Sequence, residues 1–226
     1  HEVYKNCILN NEGVFYMTEQ TTIITIGRQF GSGGHEIAKG VAEALSIPFY
    51  DKEIIVEAAK KSGLNENLFK KADERTVSSF LYSVALGAYA PATALSGMSM
   101  MNMNETIFQI QSNVISELAE KGSCVFVGRC ADYVLQDKPN SFHLFVYADL
   151  PKRIERVQRI YKLDAEKAEG LIEKTDKKRA HFYNYYTGQK WNAVENYDLC
   201  INSAKLGVAG SVETILSYIR LAQQDR

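Results

Sequence analysis

Gly31, Gly33 and Gly34, with Ser32 between them, follow the β-branched apolar run Thr21 to Gly27 and precede a helical pattern. That order of strand, glycine turn and helix suits anion binding. Glycines let the backbone approach an anion closely and aim several N–H groups at it, and the helix N-terminus adds about half a positive charge. The amides of Gly31, Ser32, Gly33, Gly34 and His35 are therefore candidates to hold phosphate; a purely structural glycine turn is the alternative. The spacing departs from both familiar phosphate patterns. GxGxxG lacks its third glycine. Against GxxxxGK[ST] counted from Gly33, Arg28 stands at the first glycine, Gly34 at the lysine and His35 at the hydroxyl residue. The turn keeps its glycines but lacks the lysine and the hydroxyl that would ligate magnesium. His35 is a poor substitute, because magnesium prefers oxygen. Ser32 is the closest hydroxyl, and the metal ligands stay unassigned.

Several charged residues could complete such a site. Arg28 is the nearest cation to the turn, and an arginine can bridge two phosphate oxygens; its other reading is an outward brace of the loop. Arg129 follows a buried strand at its carboxyl end and must find an anion, a carboxylate or water there. Arg153, Arg156 and Arg159 recur at i, i+3 and i+6 along one helical side, where a solvated charged face is the plainer reading. Asp176 and Arg179 are spaced to pair within a helix. Asp51 ends a short strand and is placed either at a ligand crevice or as the N-cap of a helix from Lys52. Asp132 either serves a ligand or faces solvent. Tyr183, Tyr185, Tyr186 and Trp191 suit base stacking, a dimer surface or packing on the sheet.

These residues need elements to hold them. The pattern predicts strands at 21–27, at 48–50 ending on Asp51, at 124–128, at 142–148 and at 197–203. Helices are expected from Gly34, over 52–62, over 105–121, from Pro151, from an Asp164 cap through the basic segment 174–181, and over 208–223. Short apolar strands alternating with helices give an α/β fold, a parallel doubly wound sheet flanked by helices. Residues 64–104 hold four of the five methionines and little charge. They read as a helical insert, serving as core packing, a binding lid or a homodimer interface. Residues 1–20 read as an N-terminal extension ahead of the main domain 21–226, flexible or left from expression. An extra strand at Val14 to Tyr16 is the alternative.

Composition excludes other classes. The chain has 226 residues, with 26 basic against 27 acidic side chains and a net charge of -1. It has no global field for nucleic acid or anionic lipid, so anion binding must be local. Cys7, Cys124, Cys130 and Cys200 have no CxxC spacing and do not cluster with His35, His143 or His181, which argues against zinc or redox chemistry. Free thiols and the lack of a signal-peptide pattern point to the cytoplasm. Apolar stretches are too short to span a bilayer.

Taken together, ITIGRQFGSGGHEIAKGVAEALSIPFYD, VFVGRCADYVL, FVYADLPKRIERV, TDKKRA and YDLCINS resemble, in linear order over about residues 21–223, the cytidylate kinase-like family, a branch of the P-loop nucleoside monophosphate kinases. The resemblance implies a P-loop kinase-like three-layer sandwich with a five-stranded parallel sheet, a helical insert near 64–104 and a lid near 151–190. It implies transfer of the terminal phosphoryl of ATP, with Mg2+, to a nucleoside monophosphate, CMP or dCMP first. On that view Arg28 replaces the missing lysine, and Arg153 and Arg156 clamp the transferring group. Asp51, Arg129, Asp132, Asp176 and Arg179 serve the acceptor. Typical members carry the lysine, the hydroxyl residue and Gly-Arg-Asp where Cys130 stands; the changes match a divergent branch and leave the acceptor open. A non-catalytic nucleotide-binding protein and a kinase of another small phosphorylated metabolite are the rival expectations.

Overall fold

The computed structural model describes residues 6–9, 15–18, 21–51 and 100–224. The helix expected over 52–62, and the insert up to residue 99, lie outside them. The chain divides into two compact units, residues 1–49 with 121–226 and residues 50–120.

In the first unit, β1 (Asn6–Leu9) and β2 (Phe15–Thr18) form a two-stranded antiparallel ladder in which Cys7 faces Met17. The extra strand weighed for residues 14–16 is therefore present, from Phe15. The main sheet has the order β4-β5-β3-β6-β7, with β3 (Ile23–Arg28) at its centre, β4 (Phe49–Tyr50), β5 (Cys124–Val127), β6 (Ser141–Tyr147) and β7 (Leu199–Asn202). β3 runs parallel to both neighbours: Ile24 pairs with Val125 on one side and Phe142 on the other. β-Branched and aromatic side chains fit this doubly covered position, and Ile24, Ile26, Val125 and Val146 are fully buried. Burying each such side chain contributes about 1.5–3 kcal/mol.

The face carrying Ile24, Ile26, Leu144 and Val146 packs against α1 (Gly34–Leu45) and α6 (Ser203–Gln224), which bring in Ile37, Val41, Ile215 and Ile219. The short helix α3 (Ala131–Val134) follows β5. Helices α4 (Leu150–Tyr161) and α5 (Ala165–Thr187) pack on each other through Val157, Ala168 and Ile172. Asp164 caps α5 as expected, accepting from the Lys167 amide at 2.8 Å.

Two boundaries differ from the sequence pattern. α6 begins at Ser203 rather than 208, because a first turn precedes Gly207, whose φ of 67° and ψ of -176° interrupt the helix. In the second unit, α2 spans Met100–Glu120, so the helix expected from Glu105 already includes residues 100–104. Along α2, Ile110, Val114 and Leu118 are buried, on the face expected. No helix among the described residues is long and apolar enough to cross a membrane.

Candidate functional site

Because the main strands run parallel, β3, β5, β6 and β7 deliver their carboxyl ends to one edge, where ligands of open α/β sheets bind. Gln29 ties the start of the loop to β6: its amide donates to the Val146 carbonyl at 3.0 Å, and its Oε1 accepts from the Ala148 amide at 3.2 Å. Gly31 and Gly33 both take φ of 81°, in the region that favours glycine. Ser32, 4 % exposed, turns its hydroxyl back to donate to the Gln29 carbonyl at 2.8 Å, and that hydroxyl oxygen accepts from the Gly34 amide at 3.3 Å. The Ser203 hydroxyl at the head of α6 donates to the Ser32 carbonyl at 2.6 Å. The loop is thus fastened by its carbonyls and by Ser32. Among the described residues, the Gly31 and Gly33 amides have no protein acceptor.

Arg28 and Gly34 share one volume. A Cβ on Gly34 would stand 2.5 Å from Arg28 Cβ and 3.0 Å from its Cγ. The Arg28 stem therefore crosses the place a side chain at 34 would leave from. Its guanidinium reaches the turn after β5, where a Cβ on Gly128 would collide with Arg28 Nη1. Arg28 so links the glycine loop to the Arg129 turn.

Helices α4 and α5 fasten on the loop from outside. Asp176 Oδ1 accepts from the Phe30 amide at 2.7 Å. Arg153, 9 % exposed, pairs with Asp176 Oδ2 at 2.5 Å and donates to the Phe30 carbonyl at 3.3 Å. Arg179 donates to the Arg28 carbonyl at 2.9 Å and lies 5.6 Å from the Phe30 ring centroid, while its ion pair with Asp176 is long, at 3.9 Å. The i, i+3 pairing read from sequence is therefore a minor contact; Arg153 is the closer partner of Asp176. Arg156 lies over the loop itself: a Cβ on Gly33 would be 3.2 Å from its guanidinium carbon. It pairs with Glu36, an acidic residue in the first turn of α1 that sequence reasoning passed over, since acids there ordinarily answer the helix dipole.

Gly128, Arg129 and Cys130 adopt φ of 69°, 62° and 56° in succession, a left-handed run that turns the chain from β5 into α3. Arg129 is half-buried at this turn. Burial raises the Cys130 thiol pKa, aided by the nearby Asp132 charge, so it stays protonated and is no nucleophile. Asp132 does not face solvent. It is 8 % exposed and accepts from the Tyr183 hydroxyl at 2.7 Å, with burial holding its carboxyl above the ordinary range. Arg159 is exposed, as a charged face would have it. The His35 ring packs edge-on against Phe49, with centroids 5.3 Å apart. Asp51, half-buried after β4, belongs to the other unit.

The structure thus groups Arg28, Gly31 to His35, Arg153, Arg156, Asp176 and Arg179 around one loop, with Arg129 reached through Arg28. Ser203 and Tyr183 were missed as partners of this assembly: a serine at a strand end and one tyrosine among several carry no distinguishing pattern. Magnesium needs oxygen ligands. The Ser32 hydroxyl is committed to the loop, position 35 offers nitrogen, and among the described residues no group of three His, Cys, Asp or Glu side chains could hold a metal. These residues do not form a protein cage for the ion.

Comparison with known proteins bears on the fold and the family. No curated protein matches the chain. A solved structure of an uncharacterized protein from Eubacterium ventriosum is 32% identical, covers 88% of this chain and 99% of its own, and superposes with a TM-score of 0.67. Shikimate kinase from Bacteroides thetaiotaomicron is 16% identical, covering 89% of this chain and 99% of that one, at a TM-score of 0.52. Shikimate kinase from Acinetobacter baumannii, in complex with shikimate, is 15% identical, covering 90% and 95%, at 0.50. The shikimate kinases share the P-loop kinase fold, a parallel sheet flanked by helices. The sequence model described as the cytidylate kinase-like family matches residues 23–205. With that match over most of its length, the chain belongs to the cytidylate kinase-like family.

Proposed function

We propose that the protein transfers the terminal phosphoryl group of ATP to a small phosphorylated acceptor, a nucleoside monophosphate, with CMP or dCMP first. The observation that carries this reading is the exchange of Arg28 and Gly34: the glycine opens the volume that the arginine stem fills on its way to the Gly128 turn, which sets a fixed cation beside the loop in place of lysine. Phosphoryl transfer asks a protein chiefly for in-line positioning and positive charge. The amides of Gly31 to His35 hold the donor phosphates, and Arg28 answers the charge developing on the transferring group. Arg156, over Gly33, leaves Glu36 to clamp it. Arg153, Asp176 and Arg179 act from behind the loop, holding the lid and the donor site together. Arg129 takes the acceptor phosphate. Magnesium enters with the nucleotide, as part of the substrate complex.

The test is a panel of nucleoside monophosphates and other small phosphorylated acceptors with MgATP and direct product detection. A phosphorylated CMP or dCMP is the expected product; no product from any acceptor sinks the reading. Position 35 favours a second reading, since its histidine packs on Phe49 and offers no hydroxyl oxygen for a metal. Under it the protein binds ATP, raising its melting temperature by mass action, without turnover.

A further inference from the structure

One side of α5 reaches both halves of the site. Asp176, Arg179 and Tyr183 stand at i, i+3 and i+7, so they share a helical face. The first two hold the phosphate loop, at the Phe30 amide (2.7 Å) and the Arg28 carbonyl (2.9 Å). The third, 4 % exposed, holds Asp132 at 2.7 Å and lies 3.1 Å from Gln189 Oε1. Asp132 stands two residues beyond the left-handed run of Gly128, Arg129 and Cys130. Non-glycine residues in that region are strained and persist only where the surroundings over-determine them. The surroundings here are specific. Arg28 Nη1 fills the place a Gly128 Cβ would take, and the Tyr183 phenol donates to the buried Asp132 carboxyl from outside. A buried carboxyl is costly without such partners.

We propose that Tyr183 and Asp132 are a positioning pair, through which α5 acts as a splint fixing the Arg129 turn at a set distance from the phosphate loop. The pair touches no reacting atom. It keeps the acceptor-side arginine in register with the donor side, and this consequence rests on the kinase reading above.

The splint itself is tested without any activity. In Tyr183→Phe, which keeps the ring and removes one hydroxyl, amide hydrogen exchange in the segment 128–134 should quicken about tenfold, as expected for one lost buried hydrogen bond. Exchange in α1 and α6 should stay unchanged. Unchanged exchange at 128–134, or an equal rise everywhere, overturns the proposal. Should Tyr183→Phe fail to fold, Asp132→Asn keeps an oxygen for the phenol and should retain slow exchange, whereas Asp132→Ala should not; equal behaviour of the two overturns it. With CMP as the probe, Tyr183→Phe should raise KM for CMP about tenfold while KM for ATP and kcat move less than about twofold. Parallel shifts in both KM values count against positioning. A wild-type protein inert toward every nucleotide defeats the kinase reading instead, and the exchange result still decides the splint.

Discussion

The Arg28 stem and any side chain at position 34 compete for one volume, with Cβ positions 2.5 Å apart. Restoring the lysine of the usual phosphate loop by Gly34→Lys alone should therefore harm the protein. Overpacking of this kind costs typically about 1–3 kcal/mol, and urea unfolding of the single variant should show it. Arg28→Gly combined with Gly34→Lys removes the clash and should recover most of the loss; a double variant no better than the single one refutes the shared-volume argument. Arg28→Ala separates transfer from folding. If Arg28 supplies the charge of the absent lysine, turnover should fall by about 10²–10³, the scale for removing one electrostatic stabiliser, with the melting temperature little changed. Equal turnover would remove Arg28 from the mechanism. At this scale the sequence was informative about residue types, because a missing lysine beside a surplus arginine is visible in a string. It said nothing of Arg153 and Asp176 closing on the Phe30 backbone, since 123 and 146 positions separate those partners.

Elements were more legible than contacts. Parallel strands buried on both faces are written as nearly continuous apolar runs, so β3, β5 and β6 could be placed within a residue or two. The four-residue α3 was not anticipated. It follows a left-handed run in which two of three residues carry side chains, and no local propensity announces that. The helix expected over 208–223 starts at Ser203, and Gly207 joins a first turn to the main helix. That junction gives a test at the level of one element. A Cβ on Gly207 meets nothing within 4 Å, yet φ of 67° with ψ of -176° suits glycine alone. Gly207→Ala should then cost about 1–3 kcal/mol through backbone strain, seen as a melting temperature lower by several degrees. An unchanged melting temperature would mean that the first turn of α6 gives way at no cost.

The molecule as a whole is nearly neutral, with a net charge of -1, and its arginines are spent locally rather than as a field. Among the described titratable groups, His143 is one that burial shifts near neutral pH. It lies on β6, paired in register with Thr25, on the sheet face opposite Ile24 and Ile26. Its Nδ1 is 2.8 Å from the Thr25 hydroxyl, its Nε2 is 3.3 Å from the Ser141 hydroxyl, and its amide donates to Asp198 at 2.6 Å. Burial lowers its pKa from 6.5, outweighing the Asp198 and Asp132 charges that act to raise it. The folded state therefore binds the proton less readily than the unfolded chain. The stability that neutral His143 contributes is fully present above pH 6.5 and is lost as pH falls below that value toward its folded pKa. Asp132, whose pKa is raised by burial, has the opposite sign, its contribution weakening as pH rises. Comparing variants isolates the histidine. Melting curves between about pH 8 and pH 5.5 should fall more steeply for the wild type than for His143→Asn, which keeps a hydrogen-bonding group near Thr25 but cannot take up the proton in this range. Parallel curves for the two proteins would assign the acid loss of stability to other groups.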